Sequence, residues 1–251
     1  MTGAATQAHD LHVHSTLSDG RDEPAVNAHA AAEAGLGLLV MVEHVRREST
    51  HVPAIVAAAR ELDAPGGLRV RAGVEAKLLD DRGHLDCPDD LTGVDVLAVA
   101  DHQLPSPVGP VRPDEAARLI DAGDVGRAEA IGWLIDAMIA AAHAHGGGRA
   151  TTIVHPFSLL PKMGLSEEQI GERTLRRWAL EMSSAGAAVE VSERWTCPSQ
   201  AVARLLDQAG VELVRGSDAH RSDHVGAFRY VDHVLAGVDS WAPGPVVAGL
   251  S

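Results

Sequence analysis

Seven short apolar runs, each closing on polar side chains suited to metal or acid–base chemistry, constrain this chain more than any other feature. The runs span residues 9–13, 36–42, 68–74, 95–100, 151–155, 187–191 and 211–216. Helix-like segments lie between most of them, at 23–35, 52–64, 114–145, 166–186 and 198–210. Asp22 is placed to cap the first helix and Gly35 to end it. Pro65-Gly66 closes the second, and Gly123 and Gly126 break the third. The segment 166–186 reads as one helix. Pro198 lies near the first turn of the last helix and Gly210 stops it. The triple glycine at 146–148 reads as a loop.

Strands alternating with helices build a parallel sheet with helices outside it. The chain has 251 residues, long for an ordinary domain and short for two, with no linker-like stretch and no internal repeat. One domain over 1–251 is expected, with 1–8 as a flexible tail. Its architecture is α/β, a (β/α)7 barrel rather than an open sheet.

The strand ends carry the chemistry. They supply His12 and His14, Glu43-His44, Glu75, Asp101-His102, His155, Glu190 with Ser192 and Arg194, and Asp218 with His220. In a barrel these ends converge on one face. His12 and His14 are two apart on a strand, so both imidazoles point to one side. Asp218 and His220 repeat that spacing. Imidazole with carboxylate suits Zn, Mn or Fe rather than Ca, and so many donors imply two or three ions sharing a bridging carboxylate.

Composition excludes several alternatives. Lys plus Arg number 21 against 35 Asp plus Glu, a formal net charge of −14, so nucleic acid is a poor partner. Fourteen histidines against four Trp, two Phe and one Tyr point to metal and away from base stacking. Cys87 and Cys197 form no disulfide framework, which fits a reducing, cytoplasmic setting. The N-terminal residues do not read as a signal peptide. No apolar stretch approaches the roughly 20 residues of a membrane span.

The motifs DLHVHSTLSDG, EHV, GVEAK, ADHQLP, VHP and GSDAH, in this order from about residue 9 to 227, resemble those of the PHP (polymerase and histidinol phosphatase) superfamily. The resemblance implies a distorted (β/α)7 barrel, a trinuclear metal centre at the C-terminal face of the strands, and phosphoester hydrolysis. It implies nine ligand places, at His12, His14, Asp19, His44, Glu75, His102, His155, Asp218 and His220. His12, His14, Glu75 and Asp218 would hold one ion. Glu75 would bridge to a second, shared with His102 and His155. Asp19, His44 and His220 would hold the third. The sequence departs from the family at Glu43, where Asp is usual, and at Asp101, where a smaller residue is usual.

The expected activity is that of a histidinol-phosphatase-like phosphatase on a small phosphomonoester, with a metal-bridging hydroxide as nucleophile. Arg21, Arg46, Arg47, Lys77, Arg194 and Arg221 are candidate phosphate contacts, with Lys77, Arg194 and Arg221 ranked first and Trp195 as a pocket wall. A nuclease or nucleotide phosphodiesterase is the alternative, and a non-catalytic metal-binding domain the third. Ser217, Asp218 and His220 contain hydrolase-triad residue types, but their adjacency is not what a triad needs. Cys197 starts a helix and reads as a buried, inert thiol.

Overall fold

The computed structural model describes residues 8–146, 149–238 and 244–250. The expected flexible tail at 1–8 lies, but for Ala8, outside the described residues, as do Gly147 and Gly148 of the triple glycine.

The strands are β1 (His9–Val13), β2 (Leu38–His44), β3 (Arg69–Lys77), β4 (Val96–Ala100), β5 (Leu104–Ser106), β6 (Gly109–Val111), β7 (Ala150–Val154), β8 (Ala188–Ser192) and β9 (Leu213–Gly216). The helices are α1 (Pro24–Glu33), α2 (Val52–Glu61), α3 (Pro113–Ala122), α4 (Arg127–His145), α5 (Glu172–Ala185), α6 (Gln200–Gln208), α7 (Tyr230–Leu235) and α8 (Pro245–Leu250). Seven strands form one parallel sheet in the order β1-β2-β3-β4-β7-β8-β9. The sheet curls until Val13 bridges Ala219 beyond β9, which makes the expected seven-stranded barrel, nearly closed.

Among the described residues, side chains help to join the seam between β1 and β9. The Asp10 carboxylate accepts from the backbone N–H groups of Ser217 and Gly226, and His9 Nε2 accepts from that of Arg215. Burial pushes the Asp10 carboxyl up to about 6, with these donors offsetting part of the shift. A backbone bond from His14 N–H to the Ala219 carbonyl completes the closure among the described residues.

Period-two alternation explains the interior. Leu38, Val40 and Val42 of β2, Val96, Ala98 and Ala100 of β4, Ala188 of β8 and Val214 of β9 form an apolar cluster within the barrel. Alternate residues such as Leu39, Met41, Leu97, Val99 and Ile153 belong to the larger core shared with the helices. Val246, Val247 and Leu250 of α8 join the inner cluster, plugging the barrel at the end where the strands begin. Glu212 anchors that plug by accepting from the N–H groups of Gly244, Val246 and Val247.

Three expectations need correction. Asp22 does not cap α1, whose N-cap is Glu23 with no side-chain cap bond; its Oδ2 accepts instead from the Ser222 N–H. The segment 166–186 is not one helix. Ser166–Gln169 forms a capped 3-10 turn, Ile170 is extended, and α5 starts only after Gly171, whose low helix propensity marks the break. The stretch after β4 also contains an unexpected hairpin, β5 with β6. Its prolines at 105, 107 and 110 signal loop more strongly than strand. The expected break in 114–145 is present, with Gly123 ending α3 in the left-handed region at φ 80°.

Candidate metal centre

Following each interior row towards the strand C-termini replaces carbon with metal-competent atoms. In β2 the row Leu38-Val40-Val42 ends in His44. After β4, Val96-Ala98-Ala100 leads to His102. In β8, Ala188 leads to Glu190, and in β9, Val214 leads through Gly216 to Asp218. β1 and β7 need local irregularities. A register shift between Asp10 and Val13 lets Leu11 join the inner cluster while His12 and His14 still meet, their Nε2 atoms 3.0 Å apart. After β7, His155 adopts φ 32° and so turns inward behind the inward-facing Val154. Asp218 is likewise in the left-handed region, at φ 49°. For residues other than glycine such conformations cost roughly 1–3 kcal/mol each and cluster at functional sites.

All nine sequence-predicted positions converge. Glu75, buried, is the hub. Its Oε1 lies 3.0 Å from both His102 Nε2 and His155 Nε2. Its Oε2 lies 2.9 Å from His44 Nδ1, 3.4 Å from His14 Nε2 and 3.6 Å from His12 Nε2. Asp218 Oδ1 lies 3.4 Å from His14 Nε2 and 3.2 Å from His220 Nδ1. Asp19, at the half-exposed rim, approaches His220 Nε2 at 3.2 Å and His44 Nε2 at 3.5 Å. Three sets could each hold an ion: His12, His14 and Asp218; His44, Glu75 and His102; and His14, Asp19, His44 and His220. His14 and His44 each belong to two sets, so the grouping differs in detail from the one the resemblance implies.

Electrostatics explain why such a cluster calls for cations. Six imidazoles sit with neighbouring ring centroids 4.4–6.4 Å apart, too close for all to be protonated together. Burial pulls His14 down to about 4, its carboxylate neighbours offsetting only part of this. His155 is also buried, yet Asp101 and Glu75 hold it up at about 10. For His12, Glu190 and Asp218 likewise overcome burial and raise its pKa. Glu75 and Asp218 stay well below the carboxylate range despite burial, because imidazoles surround them. Despite these close nitrogens, buried Glu75 Oε2, Asp218 Oδ1 and His14 Nδ1 make no well-aligned hydrogen bond, and poorly satisfied buried polar atoms are costly unless a cation meets them. The donor set and these poorly satisfied atoms fit divalent transition ions.

A supporting layer orients the cluster, and the sequence reveals it only partly. Glu190 stands 3.0 Å from His12 Nδ1 and also accepts from the His155 N–H. Asp101 stands 3.2 Å from His155 Nδ1 and accepts from Ser158 Oγ and the Leu159 N–H. Each carboxylate takes an Nδ1–H, which turns the Nε2 of its histidine towards the centre. Glu43 accepts from the Ser15 N–H and hydroxyl and from the Ser18 hydroxyl, fixing the loop between His14 and Asp19. Burial nonetheless pushes the Glu43 carboxyl up to about 7. Trp195 Nε1 donates to Asp218 Oδ2 at 2.6 Å. Its pairing with Asp218 has no signal in local sequence.

The predicted cations separate. Arg194 Nη1 donates to His220 Nδ1 at 2.5 Å, and Arg221 lines the same cavity of about 610 Å³. Lys77 instead pairs with Asp86 at 3.3 Å and does not line that cavity. Arg229, which the sequence reading passed over, does line it. Across Trp195, Lys162 Nζ lies 3.9 Å from the ring centroid, and a second cavity of about 460 Å³ opens there. Cys197 is buried and burial pushes its thiol up, as expected of an inert group.

No family model and no curated protein matches the sequence. Solved structures do. Histidinol phosphate phosphatase from Lactococcus lactis, crystallised with zinc, L-histidinol and phosphate, superposes with a TM-score of 0.65 at 15% identity, over 95% of this chain and 97% of that one. N-isopropylammelide isopropylaminohydrolase from Burkholderia multivorans gives 0.47 at 18% identity, over 84% and 59%. An amidohydrolase from Chromobacterium violaceum gives 0.42 at 21% identity, over 97% and 100%. The chain is thus similar in fold to histidinol phosphate phosphatase along nearly its whole length.

Proposed function

We propose that the chain is a PHP-type, metal-dependent phosphoesterase whose substrate is a small phosphomonoester. The observation that carries this reading is the convergence of six imidazoles and three carboxylates, with buried acceptors left without a well-aligned hydrogen bond, at the mouth of a barrel beside an arginine-lined cavity. The shared fold with a phosphatase supports it. His12, His14, Glu75 and Asp218 would hold one ion, Glu75 with His102 and His155 a second, and Asp19, His44 and His220 a third. Zn, Mn or Fe suits these donors.

Bound ions of this kind supply a nucleophile from water at neutral pH and neutralise charge on the phosphoryl group. The chain's own residues do the rest. Glu190 and Asp101 keep the Nε2 lone pairs of His12 and His155 directed inward. Trp195 occupies Asp218 Oδ2, so that Oδ1 alone faces His14 and His220. Arg194 is placed to bind a phosphoryl oxygen, and it must release His220 Nδ1 before His220 Nε2 can offer a lone pair. The net charge of −14 weighs against polymeric nucleic acid. Among the described residues no helix is long and apolar enough to cross a membrane, and both cysteines are free, in keeping with a cytoplasmic site of action.

Elemental analysis of the purified, metal-reconstituted protein, with turnover of phosphomonoesters, phosphodiesters and single-stranded DNA, tests the reading. Two or three ions per chain and fastest turnover of monoesters are expected. Less than one ion per chain would overturn the metal centre. Bound metal without any turnover would favour a non-catalytic domain, and preferred cleavage of DNA a nuclease.

A further inference from the structure

The cavity beside the metal-competent cluster holds more positive charge than one phosphoryl group explains. Arg194 touches the cluster through His220. Arg21, Arg221 and Arg229 line the same cavity without touching the histidines through their side chains. The guanidinium groups of Arg21 and Arg229 enter no hydrogen bond or ion pair among the described residues. Other arginines among the described residues are unpaired too, Arg46 and Arg118 among them, but Arg21 and Arg229 share one cavity with Arg194 and Arg221. Glu193 also lines the cavity but forms no ion pair with the Arg229 guanidinium among the described residues. Its Oε2 is turned to the N–H groups of Arg229 and Val231. Arg221 forks onto Asp223 at 2.9 and 2.8 Å, an exposed pair that holds it only weakly. The cavity volume of about 610 Å³ is that of a small-molecule site.

We propose that this cavity is a second anion subsite. The substrate is a small phosphoester that carries a further anionic group, a second phosphate or a carboxylate. Arg194 faces the scissile phosphate, while Arg21, Arg221 and Arg229 hold the other anion. The planar, five-donor guanidinium suits both oxyanions, because each presents a pair of oxygens to its fork. The inference rests on the phosphoesterase reading for the scissile end, but the subsite is built from residues outside the metal-competent cluster, so the two can be tested apart.

Two matched pairs of compounds distinguish the anions: fructose 1,6-bisphosphate with fructose 6-phosphate, and 3-phosphoglycerate with glycerol 3-phosphate. Each would be assayed for kcat/KM with the metal-loaded enzyme and for Kd by calorimetry with chelator-treated protein. The wild type should prefer the member with the extra anion in at least one pair, by about tenfold or more, as hydrogen bonds to charged groups allow. Which pair shows the preference identifies phosphate or carboxylate as the second group. The double variant Arg21→Gln/Arg229→Gln, checked for native circular dichroism, should bring that ratio close to one. A wild-type ratio near one in both pairs, or a preference that survives in the double variant, would overturn the subsite. If no compound is turned over, the phosphoesterase reading fails, and the Kd ratios of wild type and variant decide the subsite alone.

Discussion

Replacing Glu75 with Gln tests the centre at its hub. The carboxylate places one oxygen 3.0 Å from two imidazole nitrogens and the other 2.9–3.6 Å from three more. Gln keeps the shape but loses the charge, and its NH2 group points hydrogens at whichever histidines it faces. Loss of a residue that merely orients a ligand costs 10–100-fold in metal affinity. Glu75 faces two candidate ion positions, so its loss should reach at least about 100-fold, equivalent to about 2.7 kcal/mol. The metal-free protein should also be less stable, by about 3 kcal/mol, since a buried charge loses its partner. Asp19→Asn is the internal comparison. Asp19 is 54% exposed, with its nearest imidazole nitrogen 3.2 Å away, and its loss should cost only about tenfold in metal affinity. Bound metal after dialysis, calorimetric affinity and turnover of 4-nitrophenyl phosphate at saturating Mn or Zn would be measured for both variants. Full metal content with near wild-type turnover in Glu75→Gln, or a larger loss in Asp19→Asn, would refute the bridging role.

Three further outcomes are expected. Trp195→Phe removes the 2.6 Å hydrogen bond to Asp218 while keeping an aromatic wall, and should weaken metal binding about tenfold with little change in Tm. In Gly216→Ala the new Cβ would stand 2.1 Å from Glu190 Oε1. It should cost about 1–3 kcal/mol in urea denaturation and, by displacing Glu190 from His12, lower metal affinity as well. The Asp80 carboxyl, although burial opposes it, is held down at about 2 by His84 and Arg82. Its contribution is therefore present above the unfolded value of 3.8 and lost as pH falls through about 2. Asp80→Asn should cost up to about 2 kcal/mol near pH 5, a gap that begins to close below pH 4.

The barrel and the centre were legible because both are written with local periods. Apolar runs define each strand, and the inward row continues from Val96-Ala98-Ala100 to His102 at the same spacing. The resemblance supplied Asp19, which stands in a loop and has no strand to point it. What stayed hidden depends on distant pairings or on local backbone turns. Nothing near Trp195 announces a bond to Asp218, and nothing near Lys77 announces that Asp86 will draw it away. His155 would face outward by strict alternation, and only its left-handed backbone brings it in. The break before α5 is not legible locally, because one glycine at 171 stands against a run of helix-forming residues. Glu190 was visible at its strand end, but its role emerges only when β1 and β7 lie beside β8.

The seam between β1 and β9 sets the order of folding. The seven strands can pair in sequence from β1 to β9 by short steps, but joining Val13 to Ala219 closes a loop that spans most of the chain. Such a contact is late and carries the largest loop entropy in the barrel. Among the described residues the carboxylate of Asp10 and a ring nitrogen of His9 hold it, and no continuous ladder does, so slow amide exchange should be weakest along this line. His12 and His14 stand on one side of the seam, Asp218 and His220 on the other. An ion gripped by both sides would act as a clasp, binding the closed ring in preference to the open one. Metal supply would then set how long the barrel stays shut, and metal-starved protein should unzip first along this line.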